Sequence, residues 1–440
     1  MSMNSIIRAF ALATLSLSGS AFALQPLDAF VRAAHEGSPD NLEARATLAQ
    51  QQAQADAVLG GALPGLSARG TYTRNQYATE LDLKMDPNAP PVHAVITPLN
   101  QLDAAITLNV PLVDLARFQR IGAARTGATA AEHQTRATFL QVEANVTQGY
   151  YQLVANGALV DASRRALDVS RESLRLTEAR FGAGTAAALD VDRAKAEVER
   201  QVQQLASAEL ALTLSARTLQ SLTGLTPELE NLASAAVQDD LHTEPSLETF
   251  VPQDAELPLL AASLSLTEAA EKQARAQRLT LLPTLSGSVT ERFTNAAGFS
   301  GHGAQYQALL NLNWALDYTT FANIRVQDAA ASVAKAREER TRRATHDAIH
   351  RAWSQVNANI AKSRSARAQV QASNHASELA LDRYQVGATT QLDLLQAQRD
   401  AFSAEVSRIQ ADAELANARL QLRLAAGQDP FSTHPSPSGS

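Results

Sequence analysis

Two carboxylates stand in the same local setting far apart in the chain. Asp190 sits in RFGAGTAAALDVDRAKAE, which begins at Arg180, and Asp393 sits in RYQVGATTQLDLLQAQRD, which begins at Arg383. Subtracting 190 from 393 gives a shift of 203, and at that shift Phe181 meets Tyr384, Gly184 meets Gly387, Leu189 meets Leu392 and Ala194 meets Ala397. An aspartate just after a turn does one of two things. It caps the first turn of a helix, or it serves as a functional carboxylate. Spacing alone leaves both open.

The other reactive residues form no catalytic constellation. Serines and histidines are present without the G-x-S-x-G elbow of a hydrolase or a zincin signature. His346 and His350 lie four apart, which puts two imidazoles on one face of a helix. A zinc site needs at least three protein ligands, so a solvated or tube-lining face is the expectation. Gly182-Ala183-Gly184 lacks the strand-turn-helix setting of a nucleotide loop and reads as glycine relieving a tight helix reversal. The chain therefore reads as a non-enzyme without cofactor.

Bulk composition narrows the class. A net charge of −7 over 440 residues argues against nucleic acid, which needs a basic stripe. With no cysteine there are no disulfides, no thiolate metal sites and no lipid on a processed N-terminal cysteine. Residues 1–23 read as a signal peptide. Arg8 supplies the positive charge, AFALATLSL the apolar core and Ala21-Phe22-Ala23 the cleavage site, so the mature chain is expected to start near Leu24. No other stretch approaches the roughly 18 apolar residues of a spanning helix, so an exported chain that enters a membrane must do so with strands.

The elements that position the two aspartates repeat in order. In a first unit, 24–226, an Ala- and Gln-rich helix runs from about Leu27 to Val58. Alternation follows: Leu66, Ala68, Gly70 and Tyr72 oppose Ser67, Arg69, Thr71 and Thr73. After a proline-rich loop (Pro87, Pro90, Pro91, Pro98), Ile106, Leu108, Val110 and Leu112 oppose Thr107 and Asn109. Period-two patterning over about ten residues suits a membrane strand with one apolar face. Phe139, Val146, Leu153, Val160, Leu167, Leu174 and Phe181 then recur every seven residues, predicting a helix of roughly 100 Å with coiled-coil packing. Val191, Val198, Leu205, Leu212 and Leu219 carry a second stripe back. A connector at 227–254, rich in turn residues, leads into a second unit at 255–427. There Leu285, Gly287 and Val289, and Tyr306 to Leu316, alternate as strands. Ile349, Val356, Val370 and Tyr384 keep the heptad register. The tail at 428–440 reads as disordered.

Four strands cannot close a barrel, and an open edge in lipid costs several kcal/mol for each unpaired backbone group. Known bacterial barrels start at eight strands. Several chains must therefore combine. This duplicated order, with the paired motifs Arg180-Phe181…Gly184…Leu189-Asp190-Val191 and Arg383-Tyr384…Val386-Gly387…Leu392-Asp393, resembles the TolC-like outer-membrane efflux proteins over nearly the whole mature chain.

The resemblance implies a mixed α and transmembrane β fold: a homotrimer with a 12-stranded barrel, four strands per chain, continuing into a long periplasmic α-helical barrel. It implies an outer-membrane exit duct of a tripartite efflux pump or type I secretion system. Its partners would be outer-membrane lipid, a periplasmic adaptor and an inner-membrane pump. It also implies that the turns at Gly184 and Gly387 dock the adaptor and that the helix tips form a periplasmic aperture. There a residue matching Asp393 forms an acidic ring, and residues matching Asp190 and Tyr384 take part in a polar lock. Two positions depart from that pattern: the expected lock arginine is Thr389, and a second ring aspartate is Gln396. An ion-pair lock through Thr389 is thus impossible, and Arg383 is the substitute to examine. A stand-alone porin, nearly all strand, and a purely structural periplasmic coiled coil are the rival readings.

Overall fold

The structure is a computed structural model that describes residues 24–84, 92–229, 241–298, 301–428 and 430–431. The expected signal peptide and nearly all of the expected disordered tail lie outside the described residues, as do Pro87, Pro90 and Pro91. Seven α-helices and six strands are described. In chain order they are α1 (Leu27–Gly37), α2 (Pro39–Gly60), β1 (Gly65–Arg74), β2 (Thr79–Leu83), β3 (Val92–Thr97), β4 (Asn100–Val113), α3 (Leu115–Gly182) and α4 (Ala188–Thr223). Two short 3₁₀ turns, Leu247–Phe250 and Asp254–Glu256, lead to α5 (Pro258–Leu279), β5 (Thr284–Thr294), β6 (Ala304–Asn313), α6 (Tyr318–Gln385) and α7 (Gln391–Ala425). The described residues divide into two compact units, one falling within 1–43, 137–257 and 344–440, the other within 44–136 and 258–343.

The second unit holds the strands. They form one antiparallel sheet in the order β1-β4-β5-β6, so the two hairpins of the duplicated halves join through β4 and β5. The sheet is inside out by the standard of a water-soluble protein. Leu66 is 73% exposed and Tyr306 79%, while Thr107 and Thr290 hydroxyls on the opposite face meet at 3.0 Å. Register places Leu66, Leu108, Val289 and Ala308 in one cross-strand row of the apolar face, and Ser67, Thr107, Thr290 and Gln307 in a row of the polar one. The outer strands β1 and β6 each pair on one side only. Beyond the sheet, β2 and β3 pair as a separate hairpin within the expected proline-rich loop. His93 holds Asp82 across it, Nδ1 to Oδ1 at 2.8 Å.

The first unit is helical. Phe30, Val31 and Ala34 of α1 pack with Val142, Val146, Leu153 and Val154 of α3 and Leu219 of α4. The apolar heptad stripe is buried at Val146, Leu153, Val160 and Leu167 but not at Phe181, which is 49% exposed. Toward the turn the buried heptad is instead polar: Asn156, Ser163, Ser170 and Thr177. The expected single helix from Leu27 to Val58 is two helices. Pro39 has no N–H to continue α1, and Ser38 stands extended before it. Asn41 then donates back to the Ala34 carbonyl at 3.0 Å.

The duplication extends to single hydrogen bonds. Gln152 donates to Asn156 at 3.2 Å, and Asn156 donates to the Ala211 carbonyl on α4 at 3.1 Å. Gln355 donates to Asn359 at 3.1 Å, and Asn359 to the Glu414 carbonyl on α7 at 3.2 Å. Both asparagines are buried, where an unpaired amide would be costly, so each clasp fixes the register of its antiparallel helix pair.

Candidate functional site at the helix reversals

Both long helices end in the same way. Gly184 has φ +74° and Gly387 φ +80°, left-handed values that a Cβ disfavours. The Thr185 N–H donates to the Arg180 carbonyl and the Gly184 N–H to that of Phe181, each at 2.9 Å. The Ala388 N–H donates to Arg383 at 2.8 Å and the Gly387 N–H to Tyr384 at 3.0 Å. This paired bonding closes the last carbonyls of a helix around a left-handed glycine.

The entries to the return helices differ. At α7, Thr390 is the N-cap: its hydroxyl accepts from the Asp393 N–H, and the Thr390 N–H donates to Asp393 Oδ2, both at 3.2 Å. The hydroxyls of Thr390 and Thr389 also donate to Oδ2, at 2.7 and 3.0 Å. This is a reciprocal cap with aspartate in the role usually taken by glutamate. The Thr390 and Thr389 hydroxyls, then the Thr390 N–H, hold the exposed Asp393 carboxyl below its ordinary range. At α4 the N-cap is Ala187, with no side-chain oxygen to offer. Asp190 only accepts from the Ala187 N–H at 3.4 Å and faces Arg193 of its own helix at 3.6 Å.

What joins the two reversals is Arg180. Its Nη1 donates to the Tyr384 carbonyl, and its guanidinium lies 4.6 Å from the centre of the Tyr384 ring. Tyr384 is only 3% exposed. Its hydroxyl meets Thr177 Oγ1 at 3.3 Å, and Thr177 Oγ1 also lies 3.2 Å from Gln391 Oε1. Four side chains, Thr177 and Arg180 from the first half and Tyr384 and Gln391 from the second, thus form one buried junction. Further along, Glu197 of α4 binds Arg399 of α7 at 2.7 Å and its own neighbours Arg200 and Gln201. Burial pushes the Glu197 carboxyl up, but those donors outweigh it and hold it below the usual range.

Of the residues singled out from sequence, Tyr384 is in the junction. Asp393 and Thr389 bond each other in the second reversal, and Gln396 donates to Asp400 at 2.9 Å on α7. Asp190 stays with its own turn in the single chain. Sequence reasoning held Arg180 in the turn motif without a role, named Arg383 as the arginine to examine, and missed Thr177 and Gln391. The polar heptad ending at Thr177 was the available signal. His346 Nε2 meets Asp254 at 3.2 Å, His350 is exposed, and no cluster of three metal-binding side chains exists among the described residues.

The sequence profile of a family described as outer membrane efflux protein matches residues 30–225 and 255–428, one match to each half. The outer membrane efflux protein BepC of Brucella suis is 27% identical over 283 residues, covering 63% of this chain and 60% of its own length. The outer membrane protein OprJ of Pseudomonas aeruginosa is 28% identical over 399 residues, covering 83% of this chain and 76% of its own. Among solved structures, the Campylobacter jejuni CmeC outer membrane channel superposes with a TM-score of 0.76 at 19% identity, over 95% of this chain and 90% of that one. The open state of the Neisseria gonorrhoeae MtrE outer membrane channel gives 0.73 at 18%, over 92% and 90%. The fold is that of these channels, an antiparallel sheet combined with long helices.

Proposed function

The chain belongs to the outer membrane efflux protein family, and on that premise we propose that it is the outer-membrane exit duct of a tripartite efflux pump or type I secretion system. Three copies supply twelve strands, three times the four of one sheet, and close a single barrel. One observation carries this reading: a sheet with its apolar face outward ends in two unpaired edges, β1 and β6. Such edges are untenable in lipid unless another copy pairs them. Conduction is passive, no residue acts as a catalyst, and energy comes from an inner-membrane pump reached through an adaptor that docks on the turns at Gly184 and Gly387.

The reversals act as the periplasmic aperture. Asp393 copies near the threefold axis attract cations, and the junction of Arg180 with Tyr384 holds the two helical hairpins together in the closed state. Asp393→Ala is then expected to lower cation selectivity and weaken block by divalent or trivalent cations in planar bilayers. Unchanged selectivity and block would leave Asp393 with its capping role alone.

A stand-alone porin has no use for two helices of 68 residues each, and a periplasmic coiled coil has no use for an outward apolar sheet. The deciding experiment exploits the absence of native cysteine. Cysteine pairs scanned along β1 and β6 should yield a disulfide-linked trimer in outer-membrane fractions. Monomer alone at every register would refute the closed trimer.

A further inference from the structure

The polar face of the sheet carries an uncompensated positive charge. Following register, its residues are Ser67, Arg69 and Thr71 on β1, Asp103, Ala105 and Thr107 on β4, Thr290, Arg292 and Thr294 on β5, and Gln305 and Gln307 on β6. Across its full extent only Arg69, Asp103 and Arg292 are ionisable. Arg69, Ala105, Arg292 and Gln305 form one continuous cross-strand row. Two guanidiniums therefore flank the methyl group of Ala105, about 10 Å apart at the backbone by ordinary strand spacing. Nothing larger than that methyl stands between them.

Asp103 neutralises only the Arg292 end of this row. Its Oδ1 accepts from Arg292 Nη2 at 2.8 Å and its Oδ2 from Gln101 Nε2 at 2.7 Å, so both oxygens are engaged with side chains of its own face. Arg69 pairs with no carboxylate among the described residues. Glu291, the nearest other acid in β5, belongs to the opposite face, in register with Ile106 and Tyr306 of the apolar surface. Two arginines against one aspartate leave a net charge of +1 per chain on the polar face.

We propose that this row is an anion-binding girdle in the strand-built part of the duct, formed by Arg69 and Arg292 and selecting solutes that bear phosphate, sulfate or carboxylate groups. The inference rests on the trimeric reading above, in which the polar face lines the lumen. Six guanidiniums then encircle one level of the barrel, three of them free of a carboxylate. The lipid-surrounded wall has a low dielectric constant, so their field is focused into the water of the lumen rather than screened from all sides. Guanidinium is suited to the role because it stays charged and offers two parallel N–H donors to an oxyanion. The passage would then carry opposite preferences at two levels, cations at Asp393 and anions at Arg69, and a cargo bearing both charges would meet a complementary site at each.

The test uses the full-length protein in planar bilayers, with inorganic tripolyphosphate added on the side of the strand-connecting loops. The native channel should be blocked by tripolyphosphate from that side. Arg69→Gln should raise the blocking concentration by on the order of tenfold and move the reversal potential in a potassium chloride gradient toward cation preference. Arg292→Gln should do the same, because it also frees Asp103. Glu291→Gln, on the apolar face, should change neither. A conducting Arg69→Gln channel with native block and native reversal potential would overturn the girdle while leaving the trimeric duct intact. Failure of the native chain to form trimers or conduct would sink the duct itself, and the girdle with it.

Discussion

At Gly184 and at Gly387 the backbone takes the same left-handed step and closes the same two hydrogen bonds, yet the side chains around the two steps have parted company. Phe181 is half exposed where its counterpart Tyr384 is buried. Ala187 leaves α4 uncapped by any side chain where Thr390 caps α7. Arg180 crosses to the other half, binding the carbonyl and ring of Tyr384. Duplication supplied two identical reversals. Divergence made one a donor and the other an acceptor, and a contact between halves needs that inequality. Two copies of Phe181 would have no hydroxyl for Thr177, and two copies of Ala187 would leave both return helices without a cap.

The strongest way to break this inequality is to remove the donor. Arg180→Ala deletes a charged hydrogen bond and the stacking on Tyr384, costing about 1.5–3 kcal/mol of the closed arrangement. It should raise open-channel conductance more than any other single change at the reversals. Arg180→Lys should recover little, since an ammonium cannot reproduce the planar contact. Native conductance in Arg180→Ala would mean that the junction does not hold the closed state.

Replacing the glycines tests the shared backbone. A β-branched residue at φ near +75° is strained whatever space it has, by more than the roughly 1–2 kcal/mol paid by an ordinary L-residue. Gly184→Val and Gly387→Val should both weaken adaptor cross-linking and efflux. Gly387→Val should be the worse, because a Cβ there already touches Arg180 Nη2 at 3.5 Å and the added γ-methyls must share that space, whereas Gly184 has open space. Equal effects would show that Arg180 is indifferent to the second turn.

The caps predict a smaller, reciprocal effect. Thr390→Ala should destabilise the start of α7 by about 1 kcal/mol, and Ala187→Thr should strengthen the start of α4 by a similar or smaller amount. Hydrogen exchange of the first-turn amides reads both. Asp190→Ala, which loses only long contacts to Ala187 and Arg193, should raise conductance modestly at most. A wide opening would reveal a partner for Asp190 on a neighbouring copy.

The smallest effect is that of pH. Asp393 is held below its ordinary value by the Thr390 and Thr389 hydroxyls and the Thr390 N–H. A carboxyl depressed in the folded state contributes its stability above the unfolded pKa and loses it as pH falls through the folded one. The α7 cap should therefore persist through mildly acidic pH and loosen only below the usual carboxylate range. Replacing Thr389 and Thr390 by alanine should move that loosening upward. An Asp393 resonance that titrates identically with and without the two threonines would refute the assignment.

Much of the fold was legible because period is local information. Seven-residue spacing from Val146 to Leu167 and alternation from Leu66 to Thr73 follow from which atoms avoid water. Other features escaped for equally physical reasons. The break at Ser38 lies inside a helix-favouring composition, and a single proline decided it. The β2–β3 hairpin is five and six residues long, too short for alternation to stand out from a proline-rich loop. Arg180 stands within the recognised motif, yet its direction could not be read there. Nothing in a linear pattern tells which way a long, flexible side chain will reach, so Arg383 could not be preferred or dismissed. Asp393 was left between cap and ring, and within one chain its bonds are those of a cap.

The paired asparagine clasps have a consequence for how such a chain can change its length. Asn156 and Ala211 are 55 residues apart, and so are Asn359 and Glu414. Each clasp is a ruler mark that sets how much chain lies beyond it in each helical hairpin, and the two rulers agree. A deletion in one arm alone would either pull its amide away from the opposing carbonyl or shorten that hairpin's reach. In the second case Arg180 and Tyr384 would no longer arrive together. Tolerated insertions and deletions should thus come as matched heptads, placed on both arms of both hairpins at once. Long members of such a lineage would differ from short ones by coordinated steps rather than by drift.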